Sequence, residues 1–459
     1  MEGIYPNAMR NLPGNWTFQS PRGTTLRRVL AHQALVRKAS GGRLPHWAIP
    51  LAYAVVAVLL GATLPRIETH WLPELVAPVS TSSAMAIDSS IASGMIALTG
   101  IVFSLAFVMV QFGATAYSPR LVSWIARDPF LMHAIGVFTA TFLYAVAALL
   151  WIDRNRSGKV PCISAWLVVG LLLASVALFV CLVQRLSRLQ VQSILVFAAE
   201  CGRRVIDTFY PPLGLGPHPF VAAEFERLPI TQTLVDHGRP RAIQALDTSA
   251  LLAAACDSGG VVEMSSAVGD TVAEGRVLLR VYGARRPISE RLLRKAIITG
   301  ERRTFQQDPK YAIHLLSDIA IRALSPAVND PSTAVQALDQ IQDLLLRLGR
   351  RRLEVGALRD DDGKLRLAIP VPTWEDFLTL ALEEIRHYGS GDVQVMRRMR
   401  ALLGDLLEEL PAERRPALHA QLERLETVIS RVFEDEEEVL VASMEDHQGL
   451  GAPRKRLRR

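Results

Sequence analysis

Two places in this 459-residue chain combine side chains in ways that could do chemistry. The first is "RALSPAVNDPST", from Arg322 to Thr333. It gathers Ser325, Asn329, Asp330 and Thr333 into a tight connection, with Arg322 one turn earlier, just ahead of the apolar-periodic segment "STAVQALDQIQDLLLRL". Free amides at a helix N-terminus attract anions, so a small-anion or interdomain site is one reading. Capping is the economical one: Asp330 can accept from those amides itself, and Pro331 suits the first helical position, where a missing N–H costs nothing. The second place is "IASGMIALTGIVFSLAFVMVQFG", from Ile91 to Gly113. Ser93, Ala97, Gly100, Ser104 and Gln111 recur there at 4-3-4-7 spacing, which puts them on one helix face. Small residues let helices approach closely, and hydroxyls can bond carbonyls one turn back. The sharper reading is a face lining a polar pore.

Other chemistry has no signature. The chain contains no P-loop, no H-E-x-x-H, no G-x-S-x-G nucleophile elbow and no EF-hand loop. Gly214 and Gly216 lack the third glycine of a dinucleotide fingerprint and are followed by Pro217. The ten His never pair at three- or four-residue spacing. Cys162, Cys181, Cys201 and Cys256 form no CxxC pair, so neither a zinc site nor a disulfide framework is expected. Asp360, Asp361 and Asp362 before Gly363 read as a turn between strands. No enzyme, metal or cofactor is expected. Basic residues are dispersed without aromatic interleaving, which argues against nucleic acid.

The elements that hold these residues differ sharply along the chain. Half the residues are hydrophobic although 21% are charged, and the net charge is +6. Mean hydropathy is +0.21. The apolar share concentrates in Trp47–Leu64, the Ile91 stretch, Phe130–Ile152 and Pro161–Val183, each free of Asp, Glu, Lys and Arg over most or all of its length. At about 1.5 Å per residue, roughly 20 residues cover the ~30 Å hydrocarbon layer. Four membrane spans are therefore expected, with Trp47, Trp151 and Trp166 at or near their ends. Arg27, Arg28, Arg37, Lys38, Arg43, Arg120, Arg127, Arg185, Arg188, Arg203 and Arg204 lie on one side of these spans. The opposite side offers Arg66 among Glu68, Glu74 and Asp88, with Arg154, Arg156 and Lys159 dissenting. The majority places both termini in the cytoplasm, and the long polar N-terminus is no cleavable signal. With no carboxylate inside the spans as bounded, a proton-driven pump is disfavoured and a passive pore stays open.

The expected organisation is a basic cytoplasmic arm (1–46), the transmembrane bundle (47–183), a membrane-proximal helix with a Pro/Gly linker (184–240), a small α/β module (241–284), a cytoplasmic helical domain (285–445) and a basic tail (446–459). The fold class is thus a mainly α membrane protein with a cytoplasmic α/β module. In that module "RAIQAL" reads as a strand, Asp247 caps "TSALLAAAC", Gly259-Gly260 ends that helix, and "VVEMSS" and "VLLRVY" form a hairpin. "VGDTVAEGRVLLRV" looks like the hairpin of lipoyl- and biotinyl-type barrels. No Lys occurs between Lys159 and Lys295 to carry such a group, so a structural or docking role is expected. Asp308-Pro309 and Asp330-Pro331 start two helices, Thr373 starts another, and further helices run from Asp392 to Leu410 and from Ala412 to Met444. "RKRLRR" at the C-terminus is either a disordered tail or a contact with anionic lipid.

"SGMIALTGIVFSLAFVMVQFGATAYSPRLV", "AIQALD", "GDTVAEGRVLLRV", "RRTFQQDPKYAI" and "ALSPAVNDPSTAVQALD" occur in this order. In them the chain resembles a family of predicted bacterial membrane proteins, domain of unknown function 2254, over roughly residues 50 to 390. The resemblance implies an inner-membrane helical bundle followed by a cytoplasmic region, and it carries no catalytic residues. Two functions remain open: a homo-oligomeric passive pore lined by the second span, or a membrane-anchored sensor or scaffold that binds a cytosolic protein or small anion around Ser325–Asp330. The expected partners are the lipid bilayer and further copies of the chain.

Overall fold

Long uncharged runs satisfy every backbone N–H and C=O internally only as helices, and each of the four forms one in the computed structural model. The structure describes residues 47–72, 74, 77, 79–116, 129–155, 160–187, 191–213 and 225–449. The basic arm, the loop with Arg120 and Arg127, Arg156, Lys159, Arg188, Gly214, Gly216 and "RKRLRR" lie outside the described residues. The described residues divide into two units, the first ending before and the second starting at Val191.

The first unit holds α1 (Ala48–Trp71), α2 (Thr81–Ala116), α3 (Pro129–Asn155) and α4 (Cys162–Ser187). Each contains a stretch of 23 to 28 residues long and apolar enough to cross a membrane. α3 is the axis: half of its apolar window is buried, against 17 to 22% for the others, and it packs against all three. Alanines make this possible, since Ala134, Ala140, Ala145 and Ala148 line its buried sides. Glycines do the rest. A Cβ at Gly61 of α1 would lie 2.5 Å from the Ala147 Cβ, and one at Gly136 of α3 would lie 2.5 Å from the Tyr53 ring. Leu51, Val55, Leu59, Phe103, Phe107 and Leu173 stay exposed, an apolar exterior suited to lipid rather than water.

The second unit begins with α5 (Val191–Phe209), whose buried stripe packs on α8 (Pro309–Ala323) and α9 (Pro331–Gly349). Between α5 and α8 comes the α/β part: β1 (Ile230–Val235), β2 (Arg241–Leu246), α6 (Thr248–Ser258), β3 (Val261–Met264), β4 (Thr271–Val272), β5 (Val277–Tyr282), α7 (Glu290–Ala296) and β6 (Ile297–Gly300). β7 (Ala357–Arg359) and β8 (Leu365–Ala368) return to it after α9. One sheet has the order β1-β5-β3-β8-β7, the other β4-β2-β6. Leu246, Leu251, Val262, Leu279, Val281, Leu293 and Leu367 fill their common core.

The sheets draw strands from outside residues 241–284. β1 comes from the stretch read as linker, and β6, β7 and β8 come from the stretch read as helical. Strands of three to six residues are too short to show a period of two against a helical background. The hairpin of "VVEMSS" with "VLLRVY" forms, with Val262 opposite Val281. However, Thr271 and Val272 between them pair with β2 of the other sheet, so "VGDTVAEGRVLLRV" is no simple hairpin. Asp247 caps α6 through the Ala250 N–H at 3.0 Å, and Gly259 ends it at φ 72°, as expected. "RDDDGKL" is the turn between β7 and β8, with Gly363 at φ 79°.

α10 (Trp374–Tyr388) starts on a Thr373–Asp376 capping box, and α11 (Val393–Glu409) on Asp392. The single helix expected from Ala412 to Met444 is broken. A 3₁₀ turn (Ala412–Arg414) leads into α12 (Arg415–Val432), and α13 (Glu436–Ala442) follows. Phe433 turns extended at φ −96°, ψ 118° and is only 9% exposed, so burying its ring ends the helix. Charged pairs lock the helices. Arg203 Nε reaches Asp343 at 2.6 Å, and Arg398 Nε reaches Asp339 at 2.7 Å.

Candidate functional site

The connection between α8 and α9 is wound on its own hydrogen bonds. The Ser325 hydroxyl donates to the Arg322 carbonyl at 2.7 Å, the Asn329 N–H to the Ser325 carbonyl at 2.8 Å, and the Asp330 N–H to the Ala323 carbonyl at 2.8 Å. Asn329 stands at φ 48°, the only non-glycine residue with positive φ among the described residues. Asn tolerates that region better than most residues. Both carboxylate oxygens of Asp330 are used: one accepts from the Thr333 N–H at 3.1 Å, the other from the Thr333 hydroxyl at 2.6 Å. Arg322 is half-buried beside the turn. The structure therefore brings Arg322, Ser325, Asn329, Asp330 and Thr333 together: the Ser325 hydroxyl with the Arg322 carbonyl and the Asn329 N–H closes the turn, and Asp330 with Thr333 caps the helix. Replacing Asp330 by Ala should lower stability by about 1 kcal/mol, the usual worth of an N-cap, seen as a lower denaturant midpoint.

The face of α2 lies differently. Ser93, Ala97, Gly100, Ser104 and Gln111 are all exposed, while Ile91, Ala92, Met95 and Val102 on the other side are buried in the bundle. A Cβ added at Gly94 or Gly100 would meet nothing within 4 Å. Ser90 and Thr99 spend their hydroxyls on the carbonyls of Ala86 and Met95, both at 2.7 Å. Among the described residues, no hydrogen bond reaches the hydroxyls of Ser93 or Ser104. The face keeps its small residues open and its two hydroxyls unspent.

A third polar group was not anticipated. α1 runs past Leu64 to Trp71, and α2 starts ten residues before Ile91, so Glu68 and Asp88 sit inside helices rather than in a loop. The expectation that the spans hold no carboxylate is corrected: both residues lie within the apolar helices and are buried, at 2% and 7% exposure. Glu68 accepts from the first amides of α4, Ile163 N–H at 2.7 Å and Ser164 N–H at 3.1 Å, where the helix dipole favours an anion. The Tyr144 and Ser164 hydroxyls pair at 2.7 Å, and those of Thr141 and Ser175 at 2.9 Å, stitching α3 to α4. A sequence signal existed. Asp88, Ala92, Met95, Thr99 and Val102 follow 4-3-4-3 spacing, so Asp88 continues the stripe that turns inward.

The Cys201 thiol is buried on α5, and desolvation pushes its pKa up to about 12, which keeps it protonated and unreactive. Among the described residues, no three His, Cys, Asp or Glu side chains gather to hold a metal ion.

Residues 43–405 match the family described as predicted membrane protein, domain of unknown function 2254. A protein of Mycobacterium tuberculosis is 26% identical over 404 residues, covering 85% of this chain and 77% of its own. A Mycobacterium bovis protein matches to the same extent, and both are described as uncharacterized proteins. No solved structure matches the chain.

Proposed function

Since the chain belongs to the predicted membrane protein family domain of unknown function 2254, we propose that it is a bacterial inner-membrane protein without enzymatic activity. Copies assemble through the open face of α2 around a passive polar path. The observation that carries this reading is the pair of unspent hydroxyls, Ser93 and Ser104, beside the open Gly94 and Gly100 on the outer side of α2. In hydrocarbon, a hydroxyl without a partner is costly and small residues offer lipid little, whereas a neighbouring helix or a file of water satisfies both. The excess of Arg and Lys in one set of loops supports cytoplasmic termini and a cytoplasmic second unit, which has the size to regulate the path. The sensor or scaffold reading, with a cytosolic protein or small anion as ligand, draws on the α8–α9 turn. In that turn the Ser325 hydroxyl, the Asp330 carboxylate and the Thr333 hydroxyl are already bonded within the turn and the helix cap, which favours the pore.

The test places single cysteines in a background lacking the four native ones. In membranes, cysteines at positions 93, 100 and 104 should react with a water-soluble thiol reagent at least tenfold faster than cysteines at 101 and 103. Equal protection of all five positions would reject the path and leave α2 as a packing face.

A further inference from the structure

The end of the bundle where α1 finishes and α2 begins contains a cavity of about 160 Å³. Helices α1 to α4 all contribute to its wall, through residues such as Pro65, Asp88, Ala148, Trp151, Ser164 and Trp166. The wall is almost wholly apolar. Its one carboxylate is Asp88, which is 7% exposed and receives no hydrogen bond and no ion pair among the described residues. The neighbouring polar groups are already committed: Glu68 to two backbone amides of α4, and Ser164 to the Tyr144 hydroxyl. Asp88 is therefore a carboxyl group without a partner, held against an apolar space. Such a group ionises at low cost only beside a cation, so a positive group that fits the space would be favoured there.

The shape of the wall selects the kind of cation. A hard metal ion asks for about six oxygen ligands, and one carboxylate with one committed hydroxyl cannot supply them. An organic ammonium asks for less: one anion for its head, apolar surface for its carbons and aromatic faces for its positive charge. Asp88 supplies the first, Ala148, Pro65 and their neighbours the second, and the Trp151 and Trp166 indoles the third. Trp166 is 65% exposed at the rim, so the cavity borders the outer surface of the bundle, where an amine can enter. We propose that this cavity binds an organic ammonium group, with its cation against Asp88 and its alkyl part among the apolar walls. The same chemistry is offered by a free alkylamine and by the ethanolamine headgroup of a lipid. The proposal stands independently of the α2 face, whose residues take no part in the cavity.

The full-length chain, purified in detergent free of ethanolamine lipids, would be titrated with n-butylammonium, following indole fluorescence and melting temperature. Saturable binding is expected, at least tenfold weaker in D88N, unchanged in S93A, and not reproduced by the uncharged n-butanol. D88N keeps the side-chain shape and removes a desolvated charge, so it should fold at least as well as the parent. A165F, which fills the cavity while keeping Asp88, should also weaken binding. Nanodiscs of phosphatidylethanolamine and of phosphatidylglycerol separate the two sources. Stabilisation by the former alone, lost in D88N, identifies the lipid headgroup, and a butylammonium effect in detergent identifies free amines. Equal binding by D88N, equal binding of n-butanol, or no saturable response to either source would overturn the proposal.

Discussion

Arg303→Ala should cost about 2 to 3 kcal/mol of stability at neutral pH, and the loss should shrink as the solution is acidified. Arg303 holds Asp308 through two nitrogens, Nε at 2.9 Å and Nη2 at 2.8 Å, and Asp308 is only 3% exposed at the start of α8. Removing one partner of such a pair strands the other charge in a poor solvent, which costs roughly 3 to 5 kcal/mol when both are buried. Arg303 is about one-third exposed, so solvent screening brings the expected loss below that range, to about 2 to 3 kcal/mol. Gly269, at φ 93°, passes so close that a Cβ there would clash with both side chains, which ties the β3–β4 connection to the same pair.

The pH dependence follows from Asp308. Desolvation raises its pKa, and the Arg303 guanidinium opposes that rise. The folded state therefore holds this proton more tightly than the unfolded chain, whose Asp titrates near about 4. Stability falls as pH rises from there through the folded-state value. Without Arg303 the folded-state value climbs further, the interval widens, and the deficit at neutral pH grows. Melting curves of R303A against the parent at pH 5 and pH 7 measure it, and R303A/D308N should recover most of the loss because Asn removes the stranded charge and can still cap. A deficit independent of pH, or no rescue, would show that the pair does not act through charge.

Gly61→Val should disrupt the first unit by a comparable amount. The added Cβ would meet the Ala147 Cβ at 2.5 Å, and a methyl fixed to the backbone can give way only if α1 moves off α3. Overpacking of this kind costs about 1 to 3 kcal/mol, at the upper end where the obstacle is rigid. Gly136→Ala should be milder, because it adds one methyl and its obstacle is the Tyr53 side chain, which can swing as a whole about its Cα–Cβ bond once the 3.3 Å contact of its hydroxyl with His133 Nδ1 is given up. Gly100→Val is the control, since nothing lies within 4 Å. It should leave each bundle intact and, on the proposed function, weaken assembly. Unfolding in mixed micelles ranks the three, and crosslinking in membranes separates the last. If G61V unfolds like the parent, α1 does not depend on close approach to α3.

The four apolar helices and their order were legible from the sequence, because twenty uncharged residues leave few alternatives to a helix in apolar surroundings. The caps were legible too. Asp247, Asp308, Asp330 and Thr373 each act on the amide three residues away, and so short a reach needs no knowledge of the rest of the fold. The spacing of Ser93, Ala97, Gly100 and Ser104 fixed that they share a face. Which way the face points was settled only by α3, whose alanines and glycines draw the Ile91–Met95–Val102 side of α2 inward and leave the serines outside. The same packing turned Asp88 from an apparent loop residue into a buried carboxylate, because helix ends depend on what the terminal turns can cover. The mixed five-stranded sheet was equally hidden: β8 joins β3 from about a hundred residues away, and four-residue strands acquire their identity from that partner. Local rules decide what lies within a few residues; contacts across the chain decide which surface is spent and which is left for other molecules.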